Sequence, residues 1–413
     1  MTTLNRIPNI SRRGFLGSVA GLGSLASYPH PARAQASGKL KIVSVECYPV
    51  KLWSRSSQGT LPEFKGDFDP QRWHYGGPFA QLASAIIVVI KTDQGITGYG
   101  LGAGGAVSRE IIHGHLSNLL VGTNALNVEL LWDQMYTSAK PYGRRGVFVM
   151  ALSGVDNALW DILGKYMDQP VHRILGGTTK DRVPSYFTSG NPDVGLKLGF
   201  ENYKLPIRDG VAEGRAGMQR IESKIKDARN AIGPERQLMI DVSSRWDDVA
   251  YTKEMAKRLE PYRLYFIEEP LSPDNVLGYS ELVREVQSTL IASGEHEYTH
   301  HGFRMLFHHN AVEVIQPDVS WCGGVTALRK IAAQTAERDL TFLPHRGGSL
   351  FGLPMVLSSP NCPMAESFGT GDAAGDLMLA MTAKFDKGYY YPPEKPGFGT
   401  EITEALVKSH TIG

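Results

Sequence analysis

Downstream of Gly177 the chain repeats one pattern eight times: a short apolar run of strand character, then a segment with helical spacing. The runs are VPSYFTSG, FENYKLPI, QLMIDVSS, LYFIEE, LIASGEH, VEVIQPDV, LTFLPHR and MAESFGT. Strands alternating with helices make parallel βαβ units, and eight such units close on themselves. The expected fold class is therefore α/β, a modified (β/α)8 TIM barrel. The polar residues that end the runs are Lys204, Asp241, Glu268, Glu295, Asp318, His345 and Glu366, and from Asp241 onward their gaps are 27, 27, 23, 27 and 21 residues. Each gap is close to one βα repeat, so these side chains are expected to converge at the C-terminal mouth of the barrel.

The run LYFIEEPLSPDN ends on two adjacent acids. Side chains alternate faces along a strand, so only one of the two can point into the mouth. Glu268 is assigned to the mouth, and Glu269 to the neighbouring strand or a basic partner. Asp241, Glu268 and Glu295 together would raise one another's proton affinity unless a cation sat between them. All-oxygen ligands favour a hard ion, Mg²⁺ before Ca²⁺ or Mn²⁺. His345 and Asp318 end adjacent strands, so a carboxylate can accept one ring N–H, fix the tautomer and raise the basicity of the other nitrogen. That arrangement suits a general base. Glu366, on the last strand, is placed to hydrogen-bond an oxyanion or deliver a proton.

Ahead of the repeats the pattern is different. A strand, KLKIVSVECYPVKL, is followed by an irregular stretch from Trp53 to Phe79, and then by a hairpin whose turn is Asp93-Gln94-Gly95. In VFVMALSGVDNALWDILGKYM the apolar positions Leu152, Val155, Leu159, Ile162 and Tyr166 mark one buried helix face. The expected division is an α+β capping domain over 38–150, a barrel over 151–374, and a C-terminal segment over 375–413 that returns to the cap. A long irregular segment such as Trp53–Phe79 is either a substrate lid or a solvated loop, and if it is a lid, Arg72 and His74 are the first candidates for substrate contact. Gly100–Gly105 fits G-x-G-x-x-G but follows an antiparallel hairpin, which argues against a dinucleotide site.

Residues 1–36 carry Arg12 and Arg13 ahead of a Gly/Ala/Leu stretch, then Ala32, Ala34 and Ala36 as candidate cleavage positions. This looks like a twin-arginine export signal, and a periplasmic or otherwise exported chain is expected. The formal net charge is +1, and without those residues 39 bases stand against 42 acids. Neither nucleic acid nor a membrane surface is an expected partner. Cys47, Cys322 and Cys362 are too few and too scattered for a disulfide framework or a zinc site.

Six motifs, GVDNALWDILGK, FIEEPLSPDN, GEHEYTHHGFRML, VIQPDVSWCGG, PHRGG and AES, occur in one order between Gly38 and the end. With them the chain resembles the enolase superfamily, in its mandelate racemase branch, and most closely the family of L-rhamnonate dehydratases. The resemblance implies an enolase-like cap over the barrel, with Asp241, Glu268 and Glu295 holding one Mg²⁺ per subunit. It implies His345 paired with Asp318, and Glu366 stabilising an enolate. It further implies a homo-oligomer acting on a small acid sugar. Lys204, His296 and Arg346 are candidates for substrate contact beside Arg72 and His74, and His296 either reaches the substrate or simply packs. The reaction implied is α-proton abstraction and loss of the 3-hydroxyl, giving a 2-keto-3-deoxy sugar acid. Three positions depart from the family pattern: Pro206 replaces the second lysine of a Lys-x-Lys pair, DVSSRW differs from the expected Asp-Cys-Trp, and Arg346 stands where a small residue is usual. Two alternatives stay open, a racemase or epimerase at the same site and a non-catalytic sugar-acid binder.

Overall fold

The computed structural model describes residues 38–52, 85–368 and 375–412. Arg72, His74 and the expected export segment lie outside the described residues. The N-terminal sheet is a three-stranded antiparallel meander of β1 (Ile42–Val50), β2 (Ala85–Thr92) and β3 (Thr97–Ala103). Gly95 makes the β2–β3 turn at φ 79, a conformation that costs glycine little. Several helical segments follow, the two longest being α1 (Val128–Ser138) and α2 (Val147–Met167).

Eight parallel strands then alternate with seven helices. In chain order they are β4 (Val183–Thr188), α3 (Pro192–Lys197), β5 (Asn202–Pro206), α4 (Gly214–Ile232), β6 (Leu238–Asp241), α5 (Val249–Leu259), β7 (Phe266–Glu268), α6 (Val276–Glu285), β8 (Leu290–Ser293), α7 (Thr299–His308), β9 (Val314–Ile315), α8 (Gly324–Ala336), β10 (Thr341–Phe342), α9 (Leu353–Ser358) and β11 (Ala365–Ser367). Each strand from β4 to β10 pairs in parallel with the next, and β11 pairs in parallel with β4. Between β10 and β11, isolated bonds such as Phe342 N to Asn361 O replace a ladder. This is the expected modified barrel beneath an α+β cap. After it, β12 (Phe385–Asp386) and β13 (Tyr389–Tyr390) form a short hairpin on the outer start of β4, and the last helix is α10 (Glu404–Ser409). The C-terminus reaches β1, with Lys51 N donating to His410 O and Ile412 N to Pro49 O.

The strands are shorter than their apolar runs. Glu295, Asp318 and His345 stand two or three residues beyond β8, β9 and β10, whereas the sequence places them at the strand ends. Pro317 and Pro344 lack the N–H a ladder needs, so pairing stops before them and the chain turns in over the mouth.

Helix α2 runs through the division expected at residue 150 and is buried on two sides rather than one. Leu152, Val155, Leu159 and Ile162 are fully buried, and so are Ser153, Asp156, Asn157 and Asp161. Against the cap sheet the contact is so close that β3 presents glycine on that face. A Cβ on Gly102 would lie 2.8 Å from Met150 O, and one on Gly98 2.6 Å from the Ile162 side chain. The glycine motif therefore serves helix-on-sheet packing. By length and composition α2 could cross a membrane, but 83% of its most apolar stretch is buried inside the protein.

On its other side α2 holds the start of α8. Ser153 Oγ accepts from Gly323 N at 2.8 Å, and Asn157 Oδ1 from Val325 N at 3.2 Å. Asp156 accepts from Thr326 N at 2.8 Å and from Thr326 Oγ1 at 2.7 Å. Asn157 also donates to Leu101 O on β3 and to Val319 O, so one amide spans the cap sheet and the loop that carries Asp318. From α1, Trp132 Nε1 donates to Gly323 O at 2.7 Å. The bonds that Ser153, Asn157 and Asp156 accept satisfy N–H groups that a helix start otherwise leaves unpaired.

Burial pushes the Asp156 carboxyl up to about 7, against the Thr326 bonds that favour its ionised form. A carboxyl whose native pKa lies above its ordinary 3.8 holds its proton more tightly when folded. Its stabilising contribution is complete below about pH 4 and is lost as pH rises through about 7. The thermal midpoint of the wild type is thus expected to fall relative to that of Asp156→Asn between pH 5 and pH 8. Parallel midpoint curves would count against this assignment.

Candidate active site

The mouth is lined from successive strands. Lys204 leaves β5 inward, and its ammonium lies 2.6 Å from Glu268 Oε2 on β7 and 2.6 Å from Glu366 Oε1 on β11. It is only 1% exposed, so the lysine expected at the substrate has its charge matched by two carboxylates. Burial works against the ammonium, yet Glu268 and Glu366 outweigh it and raise its pKa well above the ordinary range. Gln316 Nε2 donates to Glu268 Oε2 at 2.8 Å, while the other oxygen, Oε1, is buried with no hydrogen-bond partner among the described residues.

Asp241 ends β6 directly opposite Glu268 in the ladder and accepts from Ser243 N and Oγ at 2.8 and 3.0 Å. Burial raises the proton affinity of Asp241, with Glu295 adding to it against Lys204. Glu268 is raised further, by burial and then by Asp241, Glu295 and Glu366, with Lys204 opposing. Glu295 goes the other way: burial would raise it, but His345 and then His296 and Lys204 lower it.

Opposite the acids stands the expected pair. His345 Nδ1 is 2.8 Å from Asp318 Oδ2, and the remaining Asp318 oxygen accepts from Ser320 N at 2.6 Å and Ser320 Oγ at 2.5 Å. The ring therefore presents Nε2 to the site, 3.3 Å from Glu295 Oε2 and 3.8 Å from Glu366 Oε2. Burial would depress the His345 pKa, but Glu295, Glu366 and Asp318 raise it on balance. Glu366 also accepts from Thr188 Oγ1 at 2.6 Å and from Arg346 N at 2.8 Å. Burial opposes its charge, yet Lys204 and His345 bring its pKa down to about 2. Glu366 is thus a carboxylate, an acceptor rather than a proton donor.

Glu269 does find a basic partner. At φ 43 the backbone turns it away from β7, and its oxygens lie 2.8 and 3.0 Å from His296 Nδ1. Burial would lower His296, but the Glu269 hydrogen bond raises it to about 9. Among the described residues, the donor set drawn within 4.8 Å is Glu269, Glu295 and His296. Glu268 instead directs Oε2 to Lys204 and Gln316, which the spacing of acids in the sequence does not disclose. Ser243, Ser244 and Arg346 share the left-handed backbone of Glu269, at φ 47, 59 and 55, so strained residues gather at this mouth.

Several site residues carried no usable signal in the sequence. Trp321 packs its ring 5.4 Å from both His296 and His345. Phe368 stands edge-on to His345 at 5.8 Å. Gln316 and Thr188 sit in or beside strands, where a lone polar residue is the only hint. The Arg346 guanidinium lies over the Trp321 ring at 5.4 Å and 3.9 Å from Asp318.

Comparison with known proteins points one way. The model of the mandelate racemase/muconate lactonizing enzyme N-terminal domain matches residues 78–176. The enolase C-terminal domain-like model matches residues 195–406. An L-rhamnonate dehydratase of Saccharopolyspora erythraea is 36% identical over 328 residues, 78% of this chain and 84% of that protein. A Caldivirga maquilingensis relative, provisionally assigned the same activity, is 38% identical over 332 residues, 79% of this chain and 83% of its own. The crystal structure of rhamnonate dehydratase from Gibberella zeae complexed with Mg superposes with a TM-score of 0.80. It is 29% identical and covers 92% of this chain and 98% of that one.

Proposed function

The chain belongs to the mandelate racemase/muconate lactonizing enzyme family of the enolase superfamily, and from that premise we propose that it is a Mg²⁺-dependent hydro-lyase that dehydrates an acid sugar, an L-rhamnonate-like aldonate or a relative of it. The observation that carries the reading is the His345–Asp318 pair, whose free Nε2 faces Glu295 and Glu366 across the mouth. Asp241, Glu268 and Glu295 would hold the ion. Three carboxylates at one mouth suit a hard cation, and among the described residues the buried Glu268 Oε1 has no hydrogen-bond partner. When bound, the ion would act as a Lewis acid toward the substrate carboxylate and ease loss of the α-proton.

His345 Nε2 takes that proton while Asp318 holds Nδ1–H and steadies the imidazolium. Protonated His345 then supplies the proton that leaves with the 3-hydroxyl as water, giving a 2-keto-3-deoxy acid. Glu366 keeps Lys204 and the Arg346 amide in place. Lys204 is a poor second base because two carboxylates hold its proton, and this favours a one-base elimination over racemisation.

Incubating the mature protein with Mg²⁺ and a library of hexonates, pentonates, uronates and aldarates is expected to release 2-keto acid from at least one member. Binding without turnover across the whole library would favour the sugar-acid binder, and deuterium from solvent in recovered substrate would favour the racemase. We retain twin-arginine export and homo-oligomerisation as proposals, tested by fractionating cells that express the full chain and by sizing the product.

A further inference from the structure

Resting on the dehydratase reading, we propose that Arg346 forms a second anion subsite, so that the enzyme selects acid sugars carrying a carboxylate at both ends, aldarates over the matching aldonates. The residue directly follows the His345 base, and its amide is fixed on Glu366 Oε2 at 2.8 Å. Its φ of 55 is a strained conformation for a long side chain, which commonly accompanies function. The guanidinium is walled by two aromatic rings, Trp321 at 5.4 Å and Phe368 at 5.9 Å. Both rings also flank His345, so the cation shares a wall with the base.

The charge of Arg346 is poorly matched. Among the described residues its guanidinium makes no hydrogen bond, and its nearest acid is Asp318, 3.9 Å from Nε. That carboxylate is already committed to His345 and Ser320. Other half-buried arginines differ: Arg258 meets Glu222 at 2.6 Å, and Arg229 donates to four backbone carbonyls. The side chain of Arg346 is 32% exposed, so the guanidinium is not sealed inside the protein.

A planar fork of donors fits a carboxylate bidentately. The proposed cation serves the carboxylate at the reacting end, so the anion left for Arg346 is one at the far end of the same substrate. A methyl or hydroxymethyl terminus would cover the guanidinium without pairing it, and a site built to pair a charged group discriminates against a ligand that lacks it.

The test compares kcat/KM for a hexarate and for the hexonate that differs from it only at C6, with the Mg²⁺-loaded wild type, Arg346→Lys and Arg346→Met. The wild type is expected to favour the diacid by at least about tenfold. Arg346→Met should cut the diacid-to-monoacid ratio by at least about tenfold, chiefly through KM, and Arg346→Lys should restore part of it. Equal effects of Arg346→Met on both substrates, or a wild type that prefers monoacids, would overturn the subsite and leave the dehydratase reading standing. Absence of turnover on every mono- and diacid would overturn both.

Discussion

Replacing His345 with Asn is expected to lower kcat by a factor of about 10²–10⁴, the usual worth of a positioned general base. The change is conservative for the fold, because an asparagine amide can still donate to Asp318 and the side chain sits in an aromatic wall rather than among core contacts. What disappears is Nε2, the atom that faces Glu295 and Glu366 at 3.3 and 3.8 Å. The thermal midpoint of the His345→Asn variant should rise on adding Mg²⁺ as the wild type's does, since none of the proposed ligands is altered. Turnover within a few-fold of wild type would remove His345 from the mechanism, and a lost Mg²⁺ response would mean that the ring acts through the cation site instead.

Glu268→Gln should have an effect of similar size by another route. Glu268 has one oxygen taken by Lys204 and Gln316 and another with no partner among the described residues, within a set of carboxylates that raise its proton affinity. Removing its charge relieves that repulsion and takes away a cation ligand in the same step. Several kcal/mol of transition-state stabilisation are then lost, a fall of about 10²–10⁴ in kcat/KM. Alongside this, the rise in thermal midpoint on adding Mg²⁺ should shrink or vanish, while the metal-free variant still unfolds cooperatively because Lys204 keeps its 2.6 Å contact with Glu366. A variant that keeps both its activity and its Mg²⁺ response would show that Glu268 is not a ligand.

The barrel was legible because its repeat is long and its apolar runs are distinct: all eight runs became strands, in order. The pairing of His345 with Asp318 was legible for the same reason, one repeat separating the two. Where the reading fell short, the causes are local. Pro317 and Pro344 end ladders early, so Asp318 and His345 act from loops. Lys204 looked available to substrate because its strand faces the mouth, but only the three-dimensional arrangement reveals Glu268 and Glu366 closing on its ammonium. Helix α2 showed one apolar face by periodicity, and a helix buried on two sides with paired polar groups gives no periodic sign of its second face. Trp321, between two histidines, has nothing in its sequence neighbourhood to distinguish it from a core aromatic.

The way α2 joins β3 to the start of α8 also sets how the cap and barrel can be exchanged. Asn157 reaches Leu101 on one side and Val319 and Val325 on the other, so a single side chain belongs to both halves of the molecule. A chimera that took its cap from one parent and its barrel from another would have to inherit β3, α2 and the 319–326 segment together.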